Sequence, residues 1–230
     1  MKPRRRTLDM WYAFTNSFVK ITGAPVWWLC SRPKTYYEDK RAQNKKIKGK
    51  AIVVCNHKSV FDVAMMLFLF WRRTLRCLVA EIMYQKNALM TVFLKSIGCI
   101  KIDRTAHDFS FIQKSCDILQ KGGVIEVYPE SRLPKDGEET PLPFKPSVVH
   151  IALQSGAPIV PVYTNGAYFQ KRRARMIIGK PIDMSALYDD AISEKENLQN
   201  LTEYLRNRII ELGNELERQS GNATQKEKTE

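Results

Sequence analysis

The sequence predicts an α/β protein with a mostly parallel central sheet and helices on both faces. Short apolar runs of strand length alternate with longer segments of helical length, and several of the helical segments end at glycines. A continuous apolar run is typical of a strand that is buried on both faces, and its alternation with helices is typical of a parallel sheet. At 230 residues, the chain is long enough for one domain with a full hydrophobic core.

The first segment precedes this alternation. Basic residues at 1–6 are followed by large apolar residues at spacings of three and four: Trp11, Phe14, Phe18 and Ile21. This spacing predicts an amphipathic helix, which Gly23 and Pro25 are expected to end. The stretch also contains polar residues, and it lacks the roughly 20 uninterrupted apolar residues of a membrane-spanning helix.

A second apolar piece carries Trp27 and Trp28 close to Arg32 and Lys34. Tryptophan beside basic residues favours the headgroup region of a bilayer. We therefore expect residues 1–35 to form an N-terminal, two-helix membrane-docking element. The alternative is that both pieces pack on the rest of the protein.

The α/β domain is predicted to span 36–218 and to begin with a basic connector, 36–50. Its predicted strands lie at 51–55, 75–80, 99–102, 124–128, 159–163 and 175–178. Its predicted helices lie at 60–71, 84–97, 108–120, 146–154 and 198–216. The last residues, 219–230, are polar and contain no aromatic residue, so we expect them to form a disordered tail.

Composition limits the partners and the chemistry. The chain has 37 lysines and arginines against 24 acidic residues, a formal net charge of +13, which indicates a nucleic acid, an anionic lipid surface or a phosphorylated substrate as partner. The five cysteines are far apart and include no C-x-x-C pair, so they predict neither zinc nor disulfides and are typical of buried side chains in a reducing compartment. Three scattered histidines without clustered carboxylates predict no metal site.

The loop after the strand at 51–55 carries a histidine and an aspartate, His57 and Asp62. In open α/β sheets, functional groups gather beyond the carboxyl ends of the strands. Asp62 lies about one turn into the next helix, where its carboxylate can hold one imidazole nitrogen and leave the other free as a general base. Alternatively, Ser59 and Asp62 match the S-x-x-D pattern of a capping box, and Asp62 then only caps the helix.

Two further strand ends carry charged residues. Lys101 and Arg104 are candidate phosphate ligands, because a guanidinium fork matches phosphate oxygens; a salt bridge from Arg104 to a neighbouring acid is the alternative. At the other strand end, Glu130 is a candidate for orienting substrate or a basic partner, and Arg132 is a candidate second phosphate ligand. Lys145, at the start of a predicted helix, is a weaker phosphate candidate.

These segments, in this order, resemble the glycerolipid acyltransferase family, which includes the 1-acylglycerol-3-phosphate acyltransferases. The family's H-x-x-x-x-D motif is matched by His57 and Asp62. Its second block, which ends in Asp-Arg, is matched by Asp103 and Arg104. A fourth block with two prolines is present at 157–162, and we assign it a structural role.

The third block of that family, phenylalanine-proline-glutamate-glycine-threonine, is matched in part. Pro129 and Glu130 are present, and Tyr128 stands for the phenylalanine. Ser131 replaces the glycine, and Arg132 follows at the threonine position. The conformation of this loop is therefore the point at which the chain departs from the family pattern.

The resemblance, which covers about residues 51–163, implies transfer of a fatty acyl group to the free hydroxyl of lysophosphatidate, a step of phospholipid biosynthesis that yields phosphatidic acid. The acyl donor would be a thioester carried on coenzyme A or acyl carrier protein, and no bound cofactor is expected. The N-terminal segment resembles the family's membrane-docking helices. We expect a peripheral or monotopic protein that binds anionic lipids on the cytoplasmic face of a membrane.

The resemblance also implies a role for each candidate residue. His57 would be the general base, and Asp62 would orient its ring. Arg104, Arg132 and Lys101 would hold the acceptor phosphate and so position its hydroxyl. Because no serine stands out as a covalent nucleophile, direct transfer is expected rather than an acyl-enzyme.

Other functions stay open at this point. Within the enzyme interpretation, glycerol-3-phosphate or a lipid A-type precursor would also present a hydroxyl near an anion. Outside it, a non-catalytic, basic membrane- or nucleic-acid-binding module would suit the cluster Lys171, Arg172, Arg173 and Arg175. No nucleic-acid-binding motif is present in the sequence, however, so no nucleic-acid partner is expected.

Overall fold

A computed structural model describes residues 3–103, 109–169 and 173–226, with side chains described for 8–103, 109–169 and 173–221. The strands are β1 Lys34–Tyr37, β2 Ala51–Cys55, β3 Leu75–Ala80, β4 Ile100–Ile102, β5 Val124–Val127, β6 Ile159–Thr164 and β7 Arg175–Ile178. The helices are α1 Pro3–Ser31, α2 Asp62–Leu69, α3 Glu81–Gln85, α4 Ala88–Ser96, α5 Ser110–Gln120, α6 Ser147–Ser155 and α7 Glu194–Lys226. A short 3₁₀ helix spans Ser185–Leu187.

The strands form a seven-stranded sheet in the order β1-β7-β6-β2-β5-β3-β4. Neighbouring strands are parallel except for β6 and β7, which are antiparallel. The predicted mostly parallel sheet is therefore confirmed. Strand β2 lies at the centre, where Ile52 pairs with Ile125 on one side and with Ile159 on the other.

Alternate residues of β2 face two separate layers of the core. Ile52 and Val54 contact the layer to which α5, α6 and α7 contribute. Val53 and Cys55 contact the layer to which α1 and α2 contribute. All five residues of β2 are buried, because helices cover both faces of the sheet. Burial on both faces explains why the sequence of this strand is one continuous apolar run.

Some elements differ from the prediction made from the sequence. Strand β1 was not predicted, because its polar and half-buried residues at the sheet edge have no apolar periodicity. The helix predicted at 84–97 is divided into α3 and α4. The Asn87 side chain accepts a hydrogen bond from the Met90 N–H at 2.7 Å and so caps the start of α4.

The N-terminal segment is one helix, α1, and the prediction of two helices separated at Gly23 and Pro25 is wrong. Proline removes one backbone hydrogen bond, and packing can offset that cost. Trp27, beyond the proline, is buried and stacks on Phe68 of α2 with ring centroids 5.4 Å apart. Gly23 is needed for this close approach rather than for a helix end, because a Cβ there would lie 3.0 Å from the Phe68 ring.

The polar face of α1 faces the protein. Asn16 donates to the Ile97 carbonyl at 3.0 Å, at the end of α4. Lys20 donates to the carbonyls of Trp71 and Arg73, just beyond the end of α2, at 3.1 and 2.6 Å. A cation near the C-terminal end of a helix interacts favourably with the helix dipole, although burial lowers the Lys20 pKa to about 8.

The opposite face of α1 is apolar and exposed to solvent: Met10, Trp11, Phe14, Phe18, Ile21, Val26, Trp28 and Leu29. An amphipathic helix of a soluble domain normally turns its apolar face inward. The predicted amphipathic character is present, and the apolar face of α1 points away from the protein, the reverse of that usual arrangement. Within the described part of the chain, no helix is both long enough and apolar enough to span a bilayer.

The C-terminal helix is longer than predicted. Helix α7 ends at Lys226, so residues 219–226 are helical and the prediction of a disordered tail is wrong for them. Gln219 donates to the Tyr37 carbonyl at 3.2 Å, and Ser220 is buried, so the last turns of α7 pack beside β1. Residues 227–230 lie outside the described residues.

The contact between α1 and the loop after α4 can be tested with alanine at two glycines that end helices. Gly98 has φ +81°, and a Cβ there would meet the Tyr12 ring of α1 at 3.0 Å; Gly122 has φ +77° and nothing within 4 Å. Both variants bear the conformational cost of positive φ, about 1–2 kcal/mol. We expect Gly98→Ala to lower the free energy of unfolding by roughly 1–3 kcal/mol more than Gly122→Ala, as measured by urea denaturation. Equal losses would contradict packing of Tyr12 at this position.

Candidate active site

His57 lies in the loop between β2 and α2, at the carboxyl edge of the central strand. The preceding residue, Asn56, is fully buried and exchanges two hydrogen bonds with the backbone of Thr164 at the end of β6, at 2.8 and 3.0 Å. This pairing fixes the start of the loop to the neighbouring strand. The His57 side chain keeps 18% of its surface exposed, so a substrate can reach the ring.

Asp62, the first residue of α2, is fully buried and contacts the His57 ring. Its Oδ2 lies 2.9 Å from His57 Nδ1. The same oxygen accepts the backbone N–H groups of Lys58 and Ser59, both at 2.8 Å. Asp62 therefore binds the histidine and also accepts the amides of the turn before the helix. The capping box is present only in part, because the Ser59 hydroxyl accepts the Phe61 N–H at 3.2 Å and not that of Asp62.

The second oxygen of Asp62 binds a residue that the sequence did not indicate. Tyr168 donates its hydroxyl to Asp62 Oδ1 at 2.7 Å and lies 2.7 Å from the Thr164 hydroxyl. Its ring is buried beside Trp27 of α1, with centroids 5.6 Å apart. Tyr168 lies 106 positions after Asp62, and no motif or periodicity connects the two, so this contact is visible only in the folded chain.

Glu130 is buried and supports the His57 loop from the side of β5. Its Oε1 accepts the His57 backbone N–H at 2.7 Å, and its Oε2 accepts the Leu142 N–H at 2.8 Å. Burial raises the pKa of this carboxyl, while the two backbone donors act in the opposite direction. We predicted that Glu130 orients substrate or a basic partner, but both of its oxygens bind backbone groups, so its contacts hold the two loops together.

Tyr128 covers one side of the His57 ring, with ring centroids 4.6 Å apart and planes 33° apart. Its hydroxyl donates to Glu126 Oε1. Glu126 is fully buried in the middle of β5, and burial raises its pKa to about 8. Its other oxygen has no hydrogen-bond partner within the described residues. The tyrosine in place of the family's phenylalanine thus links the ring that covers His57 to a third buried carboxyl, Glu126.

The loop after Glu130 adopts the conformation expected of the family's glycine. Ser131 has φ +64°, in the left-handed region that non-glycine residues rarely adopt. A serine thus occupies a backbone conformation that glycine adopts without strain. The cost is about 1–2 kcal/mol of backbone strain relative to glycine.

The predicted phosphate ligands with described side chains lie on separate elements of the structure. Lys101 is exposed in the middle of the edge strand β4. Arg132 forms a bidentate ion pair with Glu138, with N–O distances of 2.6 and 2.8 Å. Arg104 lies outside the described residues. Instead, Lys58, which was not predicted, lies next to His57 and donates to the Tyr163 hydroxyl at 3.0 Å.

Lys145 and His150 line a groove beside α6. Lys145 was predicted to bind phosphate, and His150 was predicted to be a packed histidine of the helix. In the structure, the His150 side chain is partly buried, neither fully packed in the core nor fully exposed. His107 lies outside the described residues. In the ranges that the structure describes, no group of three or more histidine, cysteine or acidic side chains could hold a metal ion.

Large aromatic side chains connect this site to α1. Phe61, which precedes Asp62, contacts Phe169 with ring centroids 4.8 Å apart. Phe169 in turn contacts Trp27 edge-on at 5.5 Å. Phe61 and Phe169 are both exposed, so an apolar surface leads from α1 to the His57 loop.

Residues 34–165 of the chain match the family model described as Acyltransferase. This range begins with β1 and extends past the end of β6, so it contains His57, Asp62 and Glu130. It covers more than half of the 230 residues.

The chain is also similar to individual proteins. It is 25% identical over 195 residues to a 1-acyl-sn-glycerol-3-phosphate acyltransferase from Cocos nucifera, covering 83% of this chain and 61% of that protein. It is 28% identical over 171 residues to a protein of the same name from Bacillus subtilis, covering 72% of this chain and 82% of that protein. The chain thus spans about three fifths of the length of the plant protein.

Among solved structures, the fold is similar to the crystal structure of the 1-acyl-sn-glycerophosphate acyltransferase PlsC from Thermotoga maritima. The TM-score is 0.61 at 20% sequence identity, and the match covers 92% of this chain and 83% of that chain. At this level of identity the likeness establishes a shared fold.

The buried Glu126 makes a testable contribution to stability. Because its pKa is about 8 in the folded protein and 4.5 in the reference state, the folded protein holds a proton there that the unfolded chain releases between these values. Stability must therefore fall as the pH rises through this window, by at most about 1.4 kcal/mol per pH unit. We expect Glu126→Gln to remove this slope in urea unfolding curves measured from about pH 5 to pH 8.

The control is Glu139→Gln, which makes the same change from a carboxyl group to an amide at an exposed position. If wild type and Glu126→Gln lost stability in parallel across the window, Glu126 would not be protonated in the folded state.

Proposed function

The chain belongs to the Acyltransferase family, and we propose that it transfers a fatty acyl group from a thioester donor to the free hydroxyl of 1-acylglycerol-3-phosphate. The observation that carries this proposal is the contact between His57 and Asp62 at the carboxyl edge of the sheet, inside the range that matches the family. The names of the Cocos nucifera and Bacillus subtilis relatives support this acceptor.

In the proposed reaction, His57 Nε2 removes the proton from the acceptor hydroxyl as that oxygen attacks the thioester carbonyl. The C–S bond then breaks, and the imidazolium returns the proton to the departing thiolate, so the products are an ester and a free thiol. Asp62 holds Nδ1 and stabilises the positive charge that forms on the ring. General-base assistance of this kind contributes roughly 10²–10⁴-fold to the rate.

The hydrogen bonds of Asp62 suit this role. A carboxylate with several fixed donors cannot rotate, so the histidine that it binds is also held in one orientation. Tyr128 limits movement of the ring from one side, since its own hydroxyl is held by Glu126. The backbone N–H of His57 is fixed by Glu130. The ring is therefore constrained through its backbone, through Nδ1 and through one face.

For the acceptor phosphate, we propose Arg104, Lys101 and Arg132 as ligands. The ion pair of Arg132 with Glu138 is partly exposed, with 48% and 32% of the two side chains accessible. Exposed ion pairs contribute little to stability, because water screens the charges. Exchange of Glu138 for a phosphate therefore costs little, and the phosphate can compete for the arginine.

A lipid acceptor fits better than a soluble one, because the exposed apolar face of α1 suits the surface of a bilayer. The apolar side chains Phe61 and Phe169 continue this face to the His57 loop. Lysophosphatidate in the membrane would thus reach the histidine without leaving the interface. Glycerol-3-phosphate would make no use of this surface.

Replacement of the histidine tests the proposed catalysis. We expect His57→Ala to lower kcat/KM for acyl transfer by roughly 10²–10⁴-fold, because the general base is lost. Binding to anionic lipid vesicles should be unchanged, since His57 is not one of the exposed apolar residues of α1. The measurement is the transfer of a radiolabelled acyl group to a panel of acceptors: lysophosphatidate, glycerol-3-phosphate and a lipid A precursor.

Activity of His57→Ala within a few-fold of wild type would contradict the assigned base. Use of glycerol-3-phosphate with lysophosphatidate ignored would contradict the acceptor. A wild-type protein that binds vesicles but transfers no acyl group to any of the three would instead be a basic binding module.

The membrane surface can be tested without introducing charge. The double variant Phe14→Gln and Phe18→Gln makes the exposed face of α1 more polar, and we expect at least about tenfold weaker sedimentation with vesicles, equivalent to about 1.4 kcal/mol. The control is Leu187→Gln with Tyr204→Gln, which removes two exposed apolar side chains from the other side of the sheet. Equal effects of the two double variants would contradict docking through α1.

A further inference from the structure

Helix α4 has an apolar face of its own that is exposed to solvent. Val92 and Phe93 follow Leu89 by three and four residues, so the three side chains lie on one face of the helix. Their accessible fractions are 80% for Leu89, 63% for Val92 and 41% for Phe93. Ile82 of the preceding helix α3 is exposed as well, whereas Leu94, on the inner side of α4, is buried. Exposed apolar side chains that adjoin one another typically mark an interaction site.

Helix α4 lies beside α1 on the same face of the sheet. The crossovers from β2 to β3 and from β3 to β4 run in the same direction along the sheet, so right-handed connections place α2 and α4 on one face. Helix α1 packs on α2 through Trp27 and Phe68. It also contacts the end of α4, where Thr15 donates to the Ser96 carbonyl at 2.5 Å. The outward apolar faces of α1 and α4 therefore belong to one side of the molecule.

The charge around α4 favours an anionic partner. Between residues 82 and 102 the chain has three lysines, Lys86, Lys95 and Lys101, and no acidic residue. All three lysines are exposed. An anionic bilayer attracts such cations, and a lysine stem can lie along apolar surface while its ammonium group reaches the headgroups. A second copy of this chain would bring the same positive charge to the contact, so repulsion opposes self-association through this face.

We propose that α4 is a second membrane-docking helix, which lies in the interface of an anionic bilayer beside α1. This inference rests on the docking of α1 in the proposed function. The nine residues of α4 span roughly 14 Å, less than half of a hydrocarbon core of about 30 Å. The helix therefore lies along the interface, with Leu89, Val92 and Phe93 toward the acyl chains.

A second docking helix restricts the orientation of the protein on the membrane. One interfacial helix sets the depth of the protein but leaves it free to turn about the helix axis. Contact through α4, a separate helix beside α1, prevents this rotation. The carboxyl edge of the sheet, where His57 lies, is then held in one orientation relative to the lipid.

The direct test changes the apolar face of α4 and leaves α1 intact. We expect the double variant Leu89→Gln with Val92→Gln to sediment at least about tenfold more weakly with vesicles of equal parts phosphatidylglycerol and phosphatidylcholine. Both side chains are exposed, so the thermal unfolding of this variant should match that of wild type. The control, Leu187→Gln with Tyr204→Gln, removes two exposed apolar side chains outside α1 and α4 and should sediment as wild type does.

The lysines are tested with the same vesicles. Lys86→Gln with Lys95→Gln should weaken sedimentation about tenfold, because two cations near an anionic surface are lost. Binding to vesicles of phosphatidylcholine alone should not change. The control is Lys121→Gln with Lys195→Gln, which removes two exposed lysines at the end of α5 and in the first turn of α7. Equal effects of the two pairs would mean that net charge, and not α4, attracts the vesicles.

Hydrogen exchange of the wild-type chain gives a measurement without any substitution. We expect the amides of 82–96 to exchange more slowly when the vesicles are present, because the bilayer covers α3 and α4. The amides of α5, on the opposite face of the sheet, should exchange at the same rate with and without vesicles.

Several results would overturn the inference. Wild-type sedimentation of the α4 double variant would do so, as would exchange at 82–96 that vesicles leave unchanged. Normal sedimentation together with a change from dimer to monomer in analytical ultracentrifugation would assign the face to a second copy of the chain. Normal sedimentation with a higher KM for a short-chain, water-soluble lysophosphatidate would assign it to the acyl chain of the acceptor. If α4 docks as expected but wild type transfers no acyl group, the proposed acyl transfer fails and the docking of α4 stands.

Discussion

The site depends on one buried carboxylate. Asp62 is inaccessible to solvent, and burial of a carboxylate is costly unless hydrogen bonds replace its water. Three donors meet Oδ2, and one meets Oδ1: the amides of Lys58 and Ser59, the His57 ring and the Tyr168 hydroxyl. Any movement of the loop would leave this charge unpaired. The same requirement therefore fixes the start of α2, the course of the loop and the direction of the imidazole.

Much of the sheet could be predicted from the sequence, because its central strands are buried on both faces and have continuous apolar runs. The edge strand β1 lacks that pattern and was missed. His57 and Asp62 were found because they are five residues apart and follow a recognisable strand. Tyr168 was missed because its contact with Asp62 depends on how β6 pairs with β2, which no local pattern encodes.

Two residues, Asp62 and Gly23, could not be given a single role from the sequence, and the structure shows why. The S-x-x-D pattern at Ser59 predicted a cap, and the H-x-x-x-x-D pattern predicted a histidine partner. One oxygen of Asp62 serves both, since a carboxylate oxygen can accept several hydrogen bonds. Gly23 was taken as a helix end, but it permits close packing of α1 on α2. In both cases the residue type was informative, and the tertiary contact decided its role.

Because α1 turns its apolar face outward, the side of the sheet that carries α1 has an exposed apolar surface. Lys20 and Asn16 face inward, where they donate to backbone carbonyls in the turns that follow α2 and α4. The apolar residues of α1 are consequently left outside, on the side of the sheet opposite to the groove. This division is consistent with the proposed lipid acceptor, which would approach from the side of α1.

The most direct test of the central claim is the tautomer of His57, observed by ¹⁵N NMR of the imidazole at a pH where the ring is neutral. The account predicts a proton on Nδ1, donated to Asp62, and none on Nε2, which is then able to accept the substrate proton. A ring protonated on Nε2 instead would contradict it, because Nδ1 would then have no proton to donate to Asp62 and Nε2 could not act as the base.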